Sequence, residues 1–251
     1  MTGTTMSGMR ELLHLVEEPR ACSYLPEQSA SLEYRIVQNV TAKEYERLLE
    51  RGYRRFGRQL FRPQCLACSR CVSVRFCASE FTPNAGLRRV LKRNRHIEVR
   101  HGRATMSPRH LELYGRYHDF MAENRGWTLD AISGADYYES FLAGGDQFGS
   151  EWLYYDGGEL VGVALMDETP NAISLVYFFY EPAWRAFSPG TFSILVQLNY
   201  ARERGKAYAY PGYWIAENSS MAYKDRFRPF EILAGRPTDA EAAQWTPHQA
   251  L

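Results

Sequence analysis

The residues best suited to chemistry lie in two C-terminal segments, 208–215 and 221–229, which read YAYPGYWI and MAYKDRFRP. Together they hold tyrosine hydroxyls, an indole ring, an ammonium group and guanidinium groups. Aromatic faces can stack on a base, hydroxyl groups can orient an amine, and cations can bind a carboxylate. Core packing would explain the aromatic residues alone, but the combination favours a cleft. The candidate lining residues are Tyr213, Trp214, Tyr223, Lys224, Arg226 and Arg228.

The five cysteines are crowded into the stretch 22–77, and an odd number does not suggest a secreted disulfide framework. Cys65, Cys68 and Cys71 have the close spacing with which one loop can wrap a tetrahedral or cuboidal metal centre, and Cys22 would be the fourth ligand. Buried small thiols are the alternative. The sequence leaves zinc, an iron–sulfur cluster and no metal as open possibilities.

Basic residues dominate the stretch 51–103, in which Glu80 and Glu98 are the only acids. Arginine outnumbers lysine there, and guanidinium groups suit bidentate phosphate contacts. A solvated face that balances acids elsewhere is the alternative. The formal net charge of the chain is only +1, so a polyanion would bind a local surface rather than a uniformly basic protein. The residues predicted to bind nucleic acid are Arg54, Arg55, Arg75, Arg88, Arg89 and Lys92.

Helices are predicted on both sides of the basic stretch. Thr41 and Glu44 form a capping box, and Ser107-Pro108 is typical of the start of a second helix. A third helix is expected over 135–142. The first twenty residues are treated as a loose arm.

Strands are predicted from residue 150 onward. Segments 150–155 and 159–166 form a hairpin around a glycine turn, and the nearly continuous apolar segment 172–180 is typical of a central strand covered on both faces. Asp167 and Tyr180 lie at the ends of these segments and are candidate catalytic residues.

A second helix–strand unit follows the central strand. Ser188 and Pro189 mark the start of a helix that ends at Gly205, and a strand over 207–210 leads to a Pro-Gly break. The exposed N–H groups of the turn that contains Ser188 and Gly190 could hold an anion. This order of elements, a hairpin followed by a central strand, a helix and a further strand, is the arrangement of an acyltransferase. The loop before the helix reads RAFSPGT and lacks the glycine pattern of a coenzyme A site, so a nucleic acid is the expected acyl carrier.

Several ordered motifs carry a specific resemblance. They are CSYLP from Cys22, GYRRFG from Gly52, FRPQC ending at Cys65, Asp167, VYFFYEP from Val176, SPGT from Ser188, GYWI from Gly212, and MAYK with FRP between Met221 and Pro229. This set resembles the aminoacyl-tRNA–protein transferases. It is most similar to the bacterial aspartate/glutamate leucyltransferases, which are related to the eukaryotic arginyltransferases.

The resemblance implies transfer of leucine from leucyl-tRNA to the α-amine of proteins that begin with Asp or Glu, which marks them for N-end rule degradation. It also implies an α+β fold with tandem acetyltransferase-like (GNAT-type) mixed sheets flanked by helices, and a cysteine-containing N-terminal half. No cofactor is required for this chemistry. Departures from the family pattern stand at Phe56, Phe61 and Pro189. Alternatives are arginyl-tRNA as donor, a coenzyme-dependent acetyltransferase, and a noncatalytic tRNA-binding metal-knuckle protein.

Roles can be assigned within the leucyltransferase hypothesis. A leading Asp or Glu needs a cationic partner, for which the candidates are Lys224, Arg226 and Arg228 with Tyr223 beside them. Tyr180, Tyr213 and Tyr223 would orient the 3′ adenosine and the amine by stacking or hydrogen bonding. The turn with Ser188 and Gly190 would stabilise the negative charge that develops in the reaction. Asp167 or Glu217 could accept the proton of the acceptor amine.

The expected organisation has three parts: a Cys/Arg-rich half over 1–103, an acetyltransferase-like catalytic half over 104–235 and a tail over 236–251, which is expected to be mobile. No apolar run is long enough to cross a bilayer, and the first ten residues have no hydrophobic signal region. We therefore expect a cytoplasmic protein with aminoacyl-tRNA and protein substrates as partners, and no membrane or DNA partner.

Overall fold

The computed structural model describes residues 8–127 and 132–248. Its α-helices are α1 (Ala42–Glu50), α2 (Ala85–Arg93), α3 (Pro108–Arg125), α4 (Gly134–Tyr137), α5 (Pro189–Glu203) and α6 (Ser219–Ala222). A π-helical turn, Tyr138–Leu142, continues α4, and 3-10 turns cover Pro182–Phe187 and Tyr223–Arg226. No helix in the described ranges is both long and apolar enough to cross a membrane.

The strands in the same two ranges are β1 (Arg10–Val16), β2 (Arg20–Ala21), β3 (Ser29–Ala30), β4 (Leu32–Gln38), β5 (Arg54–Phe56), β6 (Gln59–Pro63), β7 (Val72–Cys77), β8 (Glu98–Arg103), β9 (Gly149–Asp156), β10 (Glu159–Glu168), β11 (Ala172–Tyr180), β12 (Tyr208–Trp214), β13 (Phe230–Leu233) and β14 (Trp245–Pro247). Together with the helices they make a mixed α+β fold.

Most strands join one eight-stranded sheet of order β14-β13-β7-β12-β11-β10-β9-β8. The other strands form a four-stranded sheet, β1-β4-β6-β5, and the short β2–β3 pair. The large sheet takes strands from each of the ranges 1–103, 104–235 and 236–251. The division of the chain into those three parts stays a prediction.

Local capping signals set the helix ends where the sequence predicted them. The Thr41 side chain accepts a hydrogen bond from the Glu44 N–H at 3.3 Å, and the Glu44 carboxylate accepts one from the Thr41 N–H at 2.9 Å. Ser107 is the N-cap residue of α3, and Gly126 ends that helix in the left-handed conformation with φ 65°. The Thr41 box and the Gly126 N–H, which donates to the Ala122 carbonyl, satisfy backbone groups that a helix leaves without internal partners, whereas the Ser107 side chain makes no capping hydrogen bond. The predicted helix over 135–142 is present, but its second half is π-helical.

Three expectations about irregular segments were wrong. The N-terminal arm contains a strand, β1, which pairs with β4. The Pro211-Gly212 pair does not end β12, because a register shift opposite β7 between Ala209 and Gly212 accommodates a proline without a ladder hydrogen bond. The C-terminal segment forms β14, which pairs with β13.

Packing on both faces of the large sheet explains the apolar character of β11. One face carries α2 and α5, with Phe76 and Leu195 in its core. The other face carries α3, with Leu113 and Phe179 in its core. The four-stranded sheet and α1 enclose a third core around Tyr45. The helices and the small sheet thereby fix the position of the ends of β11 and β12.

Candidate active site

The candidate cleft is the region where the parallel strands β11 and β12 separate. They pair from Ala172 opposite Tyr208 to Ser174 opposite Tyr210, and no pairing follows. The Arg54 guanidinium of β5 donates hydrogen bonds to the carbonyls of Tyr210 and Leu175, the first at 2.8 Å. It therefore replaces the lost ladder contacts at the base of the cleft. Ligands of open α/β sheets bind at such carboxyl ends of strands.

Aromatic residues cluster at the end of β11, on one side of this candidate cleft. Tyr180, at the end of β11, lies 5.0 Å from the ring of Tyr117 on α3 and stacks on Phe178 at 5.4 Å. Burial raises the pKa of the Tyr180 hydroxyl and raises the pKa of the Tyr223 hydroxyl to about 12. Both hydroxyls are therefore neutral near pH 7 and can donate or accept a hydrogen bond.

Lys224 is buried next to the candidate cleft and is only 5% exposed as a residue. Its Nζ donates to the Tyr213 carbonyl at 2.6 Å and contacts the Met221 sulfur at 3.4 Å. Burial, with a smaller contribution from the Arg54 charge, lowers the pKa of the Lys224 amine to about 7. An ammonium has three N–H donors, so one remains for a substrate group.

The residues that were predicted to bind the acceptor or to accept its proton, Arg226, Arg228 and Glu217, do not all lie around Lys224. Arg226 is exposed. Arg228 contacts Asp225 and donates to the His248 carbonyl at 3.2 Å. Glu217 forms a surface ion pair with Arg70 of the cysteine loop. Arg226 alone among these side chains is presented to solvent with no ion pair in the described part of the chain.

Tyr213 lies inside the structure rather than on an open wall. Its hydroxyl lies 3.0 Å from the Gly52 carbonyl and 3.1 Å from the Phe61 carbonyl, so it donates towards the four-stranded sheet. Burial raises the pKa of this hydroxyl well above its usual value. The Tyr213 hydroxyl thus links β12 to the small sheet, and the Tyr213 carbonyl accepts a hydrogen bond from Lys224.

The N-terminus of α5 follows the end of β11. Ser188 is exposed and left-handed (φ 60°), and its side chain does not cap the helix. A Cβ on Gly190 would meet nothing within 4 Å, so the first turn is open. Arg93 reaches the preceding loop and donates to the Ala186 carbonyl at 2.7 Å. A helix N-terminus beside a cation is a favourable place for an anion.

Asp167 is fully buried in an ion pair with Arg55. The guanidinium donates from Nε at 2.9 Å and from Nη2 at 2.7 Å to the two carboxylate oxygens. Further donors reach the carbonyls of Gly57 and Ala143, both at 3.0 Å. This bidentate ion pair joins β5 of the small sheet to β10 of the large sheet. The carboxylate faces Arg55 rather than the cleft, and its catalytic role stays a prediction.

The arginines predicted to form one tRNA surface are divided by the fold. Arg54 and Arg55 are buried in the contacts described above. Arg75 is also buried: it donates to Glu231 at 2.6 Å and lies 3.6 Å from the Tyr208 ring centroid. The three remaining candidates, Arg88, Arg89 and Lys92, are exposed on α2. A continuous cationic surface is therefore available on α2.

The cysteines lie near one another without converging on a common point. Burial, followed by the neighbouring thiols of Cys65, Cys22 and Cys68, raises the pKa of the Cys71 thiol to about 12. Arg236 donates to the carbonyls of Cys65 and Cys68 at 2.9 Å and 2.7 Å. Over 8–127 and 132–248, no three His, Cys, Asp or Glu side chains are arranged to hold a metal ion. Thiolate donors would suit zinc or a cluster, but their placement does not form such a site, and no reaction step is assigned to a metal.

Two residues of α3 near the end of β11, Tyr117 beside Tyr180 and His118 beside Tyr177, were not among the predicted site residues. His118 Nε2 lies 2.7 Å from the Tyr177 hydroxyl, and burial lowers the pKa of His118 to about 4, so the ring is neutral. Both residues lie on the α3 face that packs on β11. The helical spacing of apolar residues on α3 was visible in the sequence, but it does not indicate which part of the helix reaches the cleft.

Two family models match the chain. Residues 20–89 match the model described as arginine-tRNA-protein transferase, N terminus, and residues 109–234 match the model described as arginine-tRNA-protein transferase, C terminus.

The chain also resembles individual proteins named aspartate/glutamate leucyltransferase. It is 39% identical to the one from Helicobacter hepaticus, over 93% of this chain and 97% of the relative. It is 36% identical to the one from Campylobacter jejuni, over 85% of this chain and 90% of the relative. Among solved structures, L-PGS from Bacillus licheniformis overlaps 61% of this chain and 48% of its own, with 13% identity and a TM-score of 0.44. That overlap is too partial to bear on activity.

Proposed function

Because the chain belongs to the arginine-tRNA-protein transferase family and closely resembles its aspartate/glutamate leucyltransferases, we propose that it transfers leucine from leucyl-tRNA to the α-amino group of proteins that begin with Asp or Glu. The observation that carries this proposal is the 39% identity to the Helicobacter hepaticus protein over 93% of the chain. The product would be a degradation signal of the N-end rule. The protein would act in the cytoplasm, where charged tRNA is found.

The arrangement around β11 supports an acetyltransferase-type (GNAT-type) catalytic half. A hairpin, β9–β10, precedes the central strand, α5 crosses over, and β12 returns parallel to β11 before the two strands separate. In this proposal the cleft holds the leucyl ester, the base of the cleft is fixed by Arg54, and the tyrosines of its wall orient the reacting groups.

The proposed reaction depends more on positioning the ester and the amine than on activating either of them. The acceptor nitrogen attacks the ester carbonyl carbon, an amide forms, and the ribose oxygen of the terminal adenosine leaves with a proton. An α-amine with a pKa near ~7.7–8.0 is roughly a tenth neutral at pH 7, so no strongly basic residue is needed. Holding the amine and the ester close together in the reactive orientation can lower the activation barrier by up to ~7–11 kcal/mol. In this scheme the neutral hydroxyls of Tyr180 and Tyr223 orient the amine and the adenosine. No cofactor besides leucyl-tRNA enters this scheme.

Recognition of the acceptor carboxylate is assigned to Lys224, helped by Arg226. The third N–H of the Lys224 ammonium has no partner among the described residues, and the first two are fixed by Tyr213 and Met221. A charge-assisted hydrogen bond in a buried setting gives both affinity and selectivity for an acidic side chain. On the donor side, the open turn at Ser188 and Gly190 is assigned to a phosphate of the tRNA 3′ end.

A transfer assay tests the proposal. The purified protein is incubated with labelled leucyl-tRNA or arginyl-tRNA and with peptides that begin with Asp, Glu, Arg or Ala. We expect leucine on the Asp and Glu peptides only. Arginine on those peptides would reverse the donor assignment, and tRNA binding without transfer would favour a noncatalytic RNA-binding protein.

The exposed cations of α2 are expected to bind phosphates. Replacing Arg88, Arg89 and Lys92 together by glutamine should raise KM for leucyl-tRNA and leave KM for the peptide unchanged. Each lost phosphate contact should reduce the slope of log affinity against log salt by roughly 0.7–0.9. The measurement is tRNA binding between low and moderate salt.

Glutamine at Arg100 and Arg103 of β8 serves as the control, because these cations are also exposed but lie on another element. If the α2 variant kept the wild-type salt slope, this helix would not be the tRNA-binding surface.

A further inference from the structure

A second cavity lies away from the cleft, between α2, α5 and the β8–β9 edge of the large sheet. Its volume is about 450 Å³, and its walls are mainly apolar or aromatic, with Phe81, Leu91 and Trp152 among them. None of the residues assigned to the reaction lines it. The cavity is therefore a separate feature whose occupant must be inferred from its chemistry.

The mouth of this cavity is cationic. Arg88 donates to the carbonyl of Pro83, a lining residue, at 2.7 Å. Arg202 lines the cavity directly, and the Arg204 guanidinium lies 5.2 Å from the ring centroid of the lining residue Tyr200. The acid at the rim, Glu203, accepts a hydrogen bond from Asn199 at 2.7 Å. An occupant with an apolar flat part and negative charges on its outside would match both the walls and the rim.

The cavity is also placed within reach of the bound donor. Its lining residue Asn199 is ten residues along α5 from Pro189, a distance of about 15 Å at the rise of an α-helix. A few nucleotides of extended single strand would span that distance from the turn at Ser188. The end of the tRNA that carries the amino acid is single-stranded.

We propose that this cavity holds the base of an unpaired tRNA nucleotide upstream of the terminal adenosine, with its flanking phosphates on Arg88 and Arg202. Bases bind single-strand sites by stacking on aromatic side chains, while cations follow the backbone. This assignment rests on the proposed use of leucyl-tRNA. It gives the enzyme a contact that distinguishes a full tRNA end from a free aminoacyl ester.

The first experiment fills the cavity. Leu91→Trp places a large side chain at a partly exposed lining position, and Ala85→Trp adds the same side chain to an exposed position of the same helix. We expect Leu91→Trp to raise KM for leucyl-tRNA roughly tenfold, the size of one lost stacked base, with kcat and the peptide KM unchanged. Ala85→Trp should behave as wild type. Equal kinetics for the two variants would overturn the inference.

The second experiment needs no transfer, so its result is independent of the proposed activity. Uncharged tRNA is prepared with 2-aminopurine at each unpaired position of the 3′ end in turn, and its fluorescence is recorded on binding to the wild-type protein. One position should change strongly, and Leu91→Trp should abolish that change while the thermal unfolding temperature confirms a folded variant. No responsive position, or a response that survives Leu91→Trp, would overturn the proposal. Binding of dodecanoate to the cavity without any effect on tRNA binding would also overturn it and indicate an acyl-chain site.

Discussion

Asp167→Asn is expected to lower the free energy of unfolding by about 3–5 kcal/mol, because it leaves the Arg55 charge buried without its counter-ion. Both partners are almost inaccessible, with side-chain exposures of 3% for Arg55 and 0% for Asp167. The change is nearly isosteric, so the loss reports the charge rather than a cavity. Urea unfolding at neutral pH measures it, and the melting temperature should fall by roughly 6–20 °C.

The Arg58–Glu139 pair supplies the matched control. It links Arg58, three residues after Arg55, to Glu139 of the π-helical turn at 2.8 Å, but its side chains are 42% and 62% exposed. Glu139→Gln should therefore leave stability nearly unchanged, because water already solvates both charges. Activity per folded molecule should survive in both variants. An Asp167→Asn protein of wild-type stability and without turnover would instead establish Asp167 as a catalytic group.

Lys224→Met should reduce kcat/KM for peptides that begin with Asp by roughly 10–100-fold, the value of one hydrogen bond to a charged group. The cause is the loss of the cation assigned to the acceptor carboxylate. Peptides that begin with Ala should remain equally poor substrates for both proteins. Lys206→Met is the control, since Lys206 pairs with Glu168 and the Thr169 carbonyl away from the cleft.

The same lysine predicts a specific pH dependence. Because its pKa is lowered to about 7, the amine loses its proton as pH rises through 7, and KM for the Asp peptide should increase above that pH. Deprotonation of the acceptor amine acts in the opposite direction, on kcat, so the two effects separate in the kinetics. In Lys224→Met the peptide KM should not vary between pH 6 and 9. A wild-type KM that is flat over the same range would contradict the assignment.

Stability provides an independent check on the Lys224 pKa. The native pKa lies below the unfolded value, so the unfolded chain binds more protons between about pH 7 and the ordinary lysine pKa. The wild-type free energy of unfolding should consequently rise with pH across that interval. Lys224→Met should remove this rise.

Local signals in the sequence were sufficient for the helices α1, α3 and α5, for the strands β9 to β11 and for the family, whereas α2, β14 and the strands of the small sheet were not predicted. The capping box at Thr41, the glycine turn between β9 and β10 and the apolar run of β11 each depend on residues close in the chain. Such features determine backbone conformation without reference to distant contacts. The ordered motifs identified an aminoacyl-tRNA–protein transferase, and the family matches confirm that identification.

Tertiary structure alone decided which charged residues are available for function. The sequence does not distinguish Arg54 and Arg55 from Arg88 and Arg89, because all four are arginines of the same basic stretch. Packing of the small sheet against the large one turns the first two into buried partners of carbonyls and of Asp167, whereas α2 keeps the other two in solvent. The sequence by itself determined those locally signalled elements and the family. The fold determined the positions of the charges, because burial depends on contacts between segments more than a hundred residues apart.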